Sequence, residues 1–297
     1  STARSLTDRF GDIGSIIVVG STADFPELAQ CENPDSEFLY GDFPSHNPGG
    51  RTASRWEISS DAEMTQQNLA GTWVTGECPS TSSEAFGINR RPDLVGDDGE
   101  PVNEFVVGLS RTCLTVNELC GDQSVFLPGS WLIDTADLSV AEGLFGMPTE
   151  PPYSNGVAYD SAAVVVHELD GPQVTRESVG LIRKRSENSQ NCIEDAVRWG
   201  SGQTPLLVLP TIAEPGSGIR THAYATNARG LIAGATVSPF IGSAIEEHGL
   251  LWVDLDGPAG DDYQPQVRRL SDHVVLKDPG QPGLQRIIAG TDVNADG

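Results

Sequence analysis

The sequence predicts an all-β chain, a β-propeller-like toroid of about four four-stranded blades, with five or more left open. Three observations predict it. The composition is turn-rich, with 33 glycines and 20 prolines among 297 residues and 38% hydrophobic residues, which suits short strands joined by tight turns better than a helical core. A small-residue, β-former, Asn/Asp pattern recurs at Asn89, Asp160, Asn227 and Asn294, spaced 71, 67 and 67 residues apart. A tryptophan recurs alongside it, at Trp56, Trp131, Trp199 and Trp252. Repeats of this length read as structural units whose stacking buries a shared core.

Each anchor reads as a hairpin. Ala85, Gly156, Ala223 and Gly290 stand four residues before the Asn or Asp, and Ile88, Tyr159, Thr226 and Val293, all good strand formers, stand just before it. The Asn or Asp side chain can bond the backbone two residues on and start a turn. The second halves are read as Asp93-Leu-Val-Gly96, Val164-Val-Val-His167, Leu231-Ile-Ala-Gly234 and Ala295-Asp296-Gly297. The alternative is four unrelated hairpins. The tryptophan segments, Ala53-Ser-Arg-Trp56, Gly129-Ser-Trp131, Ala196-Val-Arg-Trp199 and Gly249-Leu-Leu-Trp252, precede polar turns and further apolar stretches such as Leu206–Leu209 and Val267–Leu270. One unit therefore offers about four strands. Trp is read as packing between blades, with ligand stacking as the other option.

The ends suggest closure. Asn294-Ala-Asp-Gly297 looks like a first half without its second, and Gly14-Ser-Ile-Ile-Val-Val-Gly20 looks like that second half, so the N-terminal strand is expected to complete the last blade. Residues 1–297 then form one domain. Residues 21–51, 97–103 and 148–155 read as surface loops, and Ser186–Arg198 as one short helix.

The charge bounds the partners. Asp plus Glu is 42 against 18 Lys plus Arg, a net −24, which repels nucleic acid and anionic membrane surfaces. No apolar run approaches the roughly 18 residues of a membrane helix. The chain begins without Met, as a mature exported chain or a trimmed one would. Cys113 and Cys120 are disulfide candidates across a hairpin or loop, with Cys31 and Cys78 a second pair and Cys192 left over; free buried thiols are the alternative. Acidity, scarce lysine and these cysteines together favour a secreted, extracellular or cell-surface protein.

Candidate chemistry is sparse. There is no Gly-x-Ser-x-Gly elbow, no His-Glu-x-x-His, no P-loop and no dinucleotide fingerprint. His222 and His248 flank one hairpin and could approach each other. Asp292, Asn294 and Asp296 match the first half of a calcium loop, in which alternate oxygens face one ion; the same residues also fit the repeat hairpin in register. The acidic loops at Asp97-Asp98 and at Asp254, Asp256, Asp261 and Asp262 are either solvated or calcium-holding. No catalytic residue and no cofactor other than calcium is indicated.

These motifs resemble the HAF-type extracellular repeat family. Ala223-Tyr-Ala-Thr-Asn-Ala-Arg-Gly-Leu-Ile-Ala-Gly234 is similar to its Ile-Asn-x-x-Gly-x-Ile-Val-Gly hairpin, and His248-Gly-Leu-Leu-Trp252 to its His-Ala-Phe-x-Trp strand. Val267–Asp272 followed by Leu284–Gly297 looks like a closing repeat. Phe86-Gly-Ile-Asn89 with Leu94-Val-Gly96 also fits, while the Asp160 copy departs from the pattern. The resemblance implies a secreted β-propeller-like protein and supplies no catalytic residues. The expected role is non-enzymatic: a structural or adhesive component of a surface, matrix or filament, self-assembling or binding a cell-surface glycan or protein. A carbohydrate-binding or carbohydrate-cleaving propeller is the alternative.

Overall fold

The computed structural model describes residues 2–8, 15–23, 51–69, 82–90, 103–112, 125–134, 136–146, 153–168, 171–185, 192–200, 206–212, 219–227, 229–237, 247–253, 265–272 and 289–291. They form an all-β chain of four four-stranded antiparallel sheets, each meandering in sequence order. Sheet 1 holds β1 (Thr2–Asp8), β2 (Ile16–Ala23), β3 (Arg51–Ile58) and β4 (Met64–Asn68). Sheet 2 holds β5 (Ser82–Arg90), β6 (Asn103–Thr112), β7 (Val125–Asp134) and β8 (Val140–Leu144). Sheet 3 holds β9 (Tyr153–Glu168), β10 (Gly171–Arg185), β11 (Cys192–Trp199) and β12 (Leu206–Val208), and sheet 4 holds β13 (Arg220–Thr226), β14 (Ile232–Val237), β15 (Gly249–Val253) and β16 (Gln266–Arg269). A short 3-10 turn, Leu270–Asp272, follows β16.

The sheets share one register. The second strand of each carries a glycine, at Gly20, Gly108, Gly180 and Gly234, and the tryptophan of the third strand lies opposite the residue two before it: Trp56 faces Val18, Trp131 faces Val106, Trp199 faces Ser178 and Trp252 faces Ile232. In three sheets the glycine pairs with an alanine of the first strand, at Ala3, Ala85 and Ala223, and a bulge follows directly, centred on Arg4, Phe86 and Tyr224. A bulge sharpens the local twist. The glycine is required where the first strand comes close: a methyl group on Gly108 would lie 1.9 Å from the Glu84 carbonyl oxygen, and one on Gly234 would lie 2.0 Å from that of His222.

The chain divides into two compact units, Ser1–Phe145 with Ser154–Val157, and Gly146–Tyr153 with Ala158–Gly297. In unit 1 the first strand of sheet 2, β5, lies against β1, β2 and β3 of sheet 1. The core there joins Ile17, Val19, Ala53 and Leu69 of sheet 1 to Ala85, Ile88, Val106, Trp131 and Ile133 of sheet 2. In unit 2, β13 lies against β10 and β11, and the core joins Val179, Ala196 and Leu209 of sheet 3 to Ala223, Ile232, Leu250 and Trp252 of sheet 4. The two cores use equivalent positions, because sheets with one apolar face each must cover one another to bury it.

Polar contacts repeat as well. Ser83 Oγ accepts from the Ala53 N–H at 3.0 Å, and Thr221 Oγ1 accepts from the Ala196 N–H at 3.0 Å; both alanines stand three residues before their tryptophan. The amides of Leu69, Phe145 and Leu209 donate to the carbonyls of Ala53, Pro128 and Ala196. Trp199 Nε1 donates to the Gly146 carbonyl at 3.0 Å and Trp252 Nε1 to that of Pro210 at 2.7 Å, each acceptor being the residue after that same closing position. Trp56 Nε1 instead donates to Gln66 of its own sheet.

Several sequence expectations are corrected. Ile16–Val19 does not complete a last blade: β2 has β1 on one edge and β3 on the other, so closure by pairing that strand with the C-terminal segment is excluded. A first strand precedes it, and its Ala3-Arg-Ser-Leu-Thr7 is the first copy of the repeat, hidden by Thr7 at the Asn/Asp position. Val164-Val-Val-His167 is no second strand: it continues β9 to Glu168, because an unbroken β-branched run sustains an extended chain, and the glycine-bearing second half is Ser178-Val-Gly180 in β10. The partner of the Asn89 strand is Val106-Val-Gly108; residues 91–102 lie outside the described ones. The helix expected over Ser186–Arg198 is overturned, since Cys192–Trp199 is a strand paired on both edges, with β10 and with β12. Its Ile193, Ala196, Val197 and Trp199 serve both faces of a covered sheet and not one side of a helix.

Candidate functional site

Several strands carry buried charged residues, and burial of a charge requires a partner. Unit 2 brings such positions together at Glu194 on β11. Arg183, directly opposite on β10, donates through Nε to Glu194 Oε1 at 3.0 Å, and its Nη2 also bonds that oxygen. His222, on β13 of the next sheet, places Nε2 2.7 Å from Glu194 Oε2, while Arg220 Nη1 stands 3.6 Å from Oε1. Glu194, Arg183 and His222 are each 1% exposed. The other ring nitrogen of His222 lies 3.1 Å from the Tyr224 hydroxyl, and Tyr224 packs at a tilt on Tyr159 with ring centroids 5.4 Å apart.

Burial alone would raise the Glu194 pKa. The His222 hydrogen bond and the charges of Arg183, His222 and Arg220 outweigh it and hold the carboxyl at about 2. A carboxylate held so low is a permanent anion at neutral pH and a poor general acid. Both of its oxygens are taken up by the protein, so what it does is tie sheet 3 to sheet 4. A second pair lies beside it in sheet 3, where Arg198 donates through Nε to Glu177 Oε2 at 2.7 Å and its Nη2 meets Oε1.

Unit 1 has its own centre. Arg55 on β3 reaches Glu104 on β6 with both arms of its fork, Nε at 2.6 Å and Nη2 at 2.9 Å, and Glu57 stands 3.3 Å away on the same strand. Burial works against the guanidinium charge, but the Glu104 hydrogen bonds and charge, helped by Glu57, leave its pKa above the ordinary value. Glu84, 1% exposed, has the Arg4 guanidinium 3.8 Å away. Arg55 and Arg198 both precede their tryptophan, yet one reaches the next sheet and the other a neighbouring strand.

The repeat anchors fall as follows. Asn89 lies in β5 opposite Phe105. Asn227 closes β13: its N–H donates to the Leu231 carbonyl, and its Oδ1 accepts from the amides of Arg229 and Leu231, with Gly230 at φ 72° completing the turn. Asp160 departs, sitting within β9 and accepting from the Thr226 amide at 2.9 Å. Trp131, Trp199 and Trp252 are fully buried and Trp56 is 7% exposed. His222 and His248 are not brought together, for β14 runs between their strands; His222 bonds Glu194, whereas the His248 amide donates to Thr236 Oγ1 at 2.7 Å.

Cys31, Cys78, Cys113 and Cys120, the calcium candidates Asp292, Asn294 and Asp296, and the acidic loops at Asp97, Asp98, Asp254, Asp256, Asp261 and Asp262 lie outside the described residues. Among the described residues no group of three or more His, Cys, Asp or Glu could hold a metal ion, and no helix is long and apolar enough to cross a membrane. The charged centres were not found by sequence reading. Their signal was an Arg before Trp in two repeats and charges directly after apolar strand residues, as in Gly180-Leu-Ile-Arg183 and Ile193-Glu194.

No protein-family model matches the chain, and no curated protein matches it.

Proposed function

We propose that the four sheets are blades of a β-propeller-like toroid that serves as a non-enzymatic structural or adhesive component, exported to a cell surface, matrix or extracellular filament. The observation that carries this reading is the use of buried charge. Arg55–Glu104 and Glu194–His222 each join one sheet to the next, and their polar atoms are turned on each other. Satisfied buried networks of this kind rigidify a fold. A stiff repeat scaffold with a net charge of −24 suits display of acidic loops, which can vary without disturbing the sheets. The likeness to the HAF-type repeats agrees with an exported role.

The test is assembly and adhesion. Purified chain, sized by light scattering and imaged with and without divalent cations, is expected to form defined assemblies or to coat surfaces in a cation-dependent way, since screening must offset the repulsion between copies. A chain that stays monomeric and non-adherent under every salt and chelator condition, and that turns over a glycoside in a substrate panel, overturns the proposal.

A further inference from the structure

The register shared by the sheets reaches one step past sheet 4. In unit 1, Ala85 of the incoming first strand packs in one cluster with Val19, the residue before Gly20, and with Leu69, the residue after β4. In unit 2, Ala223 packs in the same way with Val179, the residue before Gly180, and Leu209, the residue after β12. The corresponding residues of sheet 4 are Ala233, before Gly234, and Leu270, after β16. Between them sits Gly290. A methyl group there would lie 2.9 Å from Leu270 Cδ1 and 3.1 Å from Ala233 Cβ, and the Gly290 N–H donates to the Gly234 carbonyl at 3.0 Å. Gly290 also opens Gly-Thr-Asp-Val-Asn294, which runs parallel in sequence to Ala85-Phe-Gly-Ile-Asn89 and Ala223-Tyr-Ala-Thr-Asn227.

We infer that a fifth repeat begins at Gly290, and that the face of sheet 4 carrying Ala233, together with Leu270, is the seat of that repeat's opening residue. Five copies of the repeat then open in the chain, at Ala3, Ala85, Gly156, Ala223 and Gly290. The occupant is identified by continuity: two incoming first strands already use the same seat on sheets 1 and 3, with the same two neighbours. Glycine at the fifth copy fits because a methyl group there would crowd Leu270 Cδ1 at 2.9 Å. The inference rests on the toroid reading and deepens it by making five the number of repeats: with Gly290 in the sheet 4 seat, no other opening residue, Ala3 included, is needed to fill it. It does not depend on the adhesive role.

Hydrogen exchange of the full chain tests it. Gly290→Trp is expected to speed exchange of the amides in Ala233–Val237 and Leu270–Asp272 at least tenfold, and to leave β2 and Leu69 of unit 1 unchanged. Ala3→Trp is expected to leave the sheet 4 amides unchanged. The reverse pattern, with Ala3→Trp exposing sheet 4 and Gly290→Trp silent, overturns the fifth repeat and restores a four-sheet ring. Silence of both variants overturns the seat itself. Should Gly290→Trp unfold the whole chain, a photo-crosslinking residue at Thr291 replaces it: products with residues 232–237 or 268–272 are expected, and their absence overturns the inference. Both readouts are local to sheet 4, so they can fail while the toroid and its adhesive role stand.

Discussion

Units 1 and 2 pack equivalent apolar positions yet reverse the charge that crosses their sheets. In unit 1 the earlier sheet supplies the cation, Arg55, and the later one the anion, Glu104. In unit 2 the earlier sheet supplies the anion, Glu194, and the later one the cation Arg220 and the hydrogen-bonded His222, while Arg183 pairs with Glu194 from within sheet 3. Apolar packing is set by the repeat because volume and register must match. Buried charge is constrained only to be paired, and either order of signs satisfies that.

The reversal has unequal consequences. Glu194→Ala strips the carboxylate from Arg183 and His222, both 1% exposed, and is expected to cost about 3–5 kcal/mol, the usual penalty for breaking a buried pair. Glu104→Ala leaves Arg55 with Glu57, whose side chain is 22% exposed and 3.3 Å away, so its loss should be clearly smaller. Calorimetry of the two variants decides. Equal losses would mean that Arg183 adds nothing to the unit 2 centre.

Acid sharpens the same contrast. Glu194 is held at about 2 against an ordinary value of 4.5. Its contribution is therefore complete above pH 4.5 and is lost as pH falls from there towards 2. Exchange protection of β10, β11 and β13 is expected to fall through that window, and Glu194→Gln is expected to flatten the fall while lowering stability at neutral pH. A pH profile of Glu194→Gln that parallels the parent would remove Glu194 as the acid-sensitive group.

The glycines are crowded by main chain in both units. Gly108→Ala and Gly234→Ala each drive a methyl group to about 2 Å from a backbone oxygen, and overpacking against main chain costs up to about 3 kcal/mol. Gly234→Ala also meets Trp252 at 2.8 Å, so it should be the worse of the two. Thermal melting checks both.

The fold was legible where a residue's role is geometric. The Asn227 hairpin could be read because its Asx turn, Gly230 and Gly234 lie within a dozen residues. Trp56, Trp131, Trp199 and Trp252 could be read because they stand at one register position of their sheets, buried in each. The first repeat was missed because Thr7 replaces Asn and 82 residues, not about 70, separate it from Asn89. The third was misread because β9 and β10 are 16 and 15 residues long, carrying Gly180 well past Asp160. The charged centres were illegible for a different reason: Arg183 and Glu194 face each other only once β10 and β11 pair, and His222 joins them only when two sheets stack.

The smallest expected difference concerns the hydroxyls that bind one sheet to the next. Thr221→Val keeps the shape of the side chain but leaves the buried Ala196 N–H without its acceptor, and Ser83→Ala does the same to Ala53. Each should cost about 1–3 kcal/mol, because an orphaned buried donor loses its full hydration. Thr221→Ser should restore the parent value, since only the oxygen matters. Position 128 is the built-in control: proline stands in β7 where Ala53 and Ala196 stand in β3 and β11, and it has no N–H to satisfy. If Thr221→Val and Ser83→Ala melt with the parent, the recurring hydroxyl is a consequence of strand propensity and not a link between sheets.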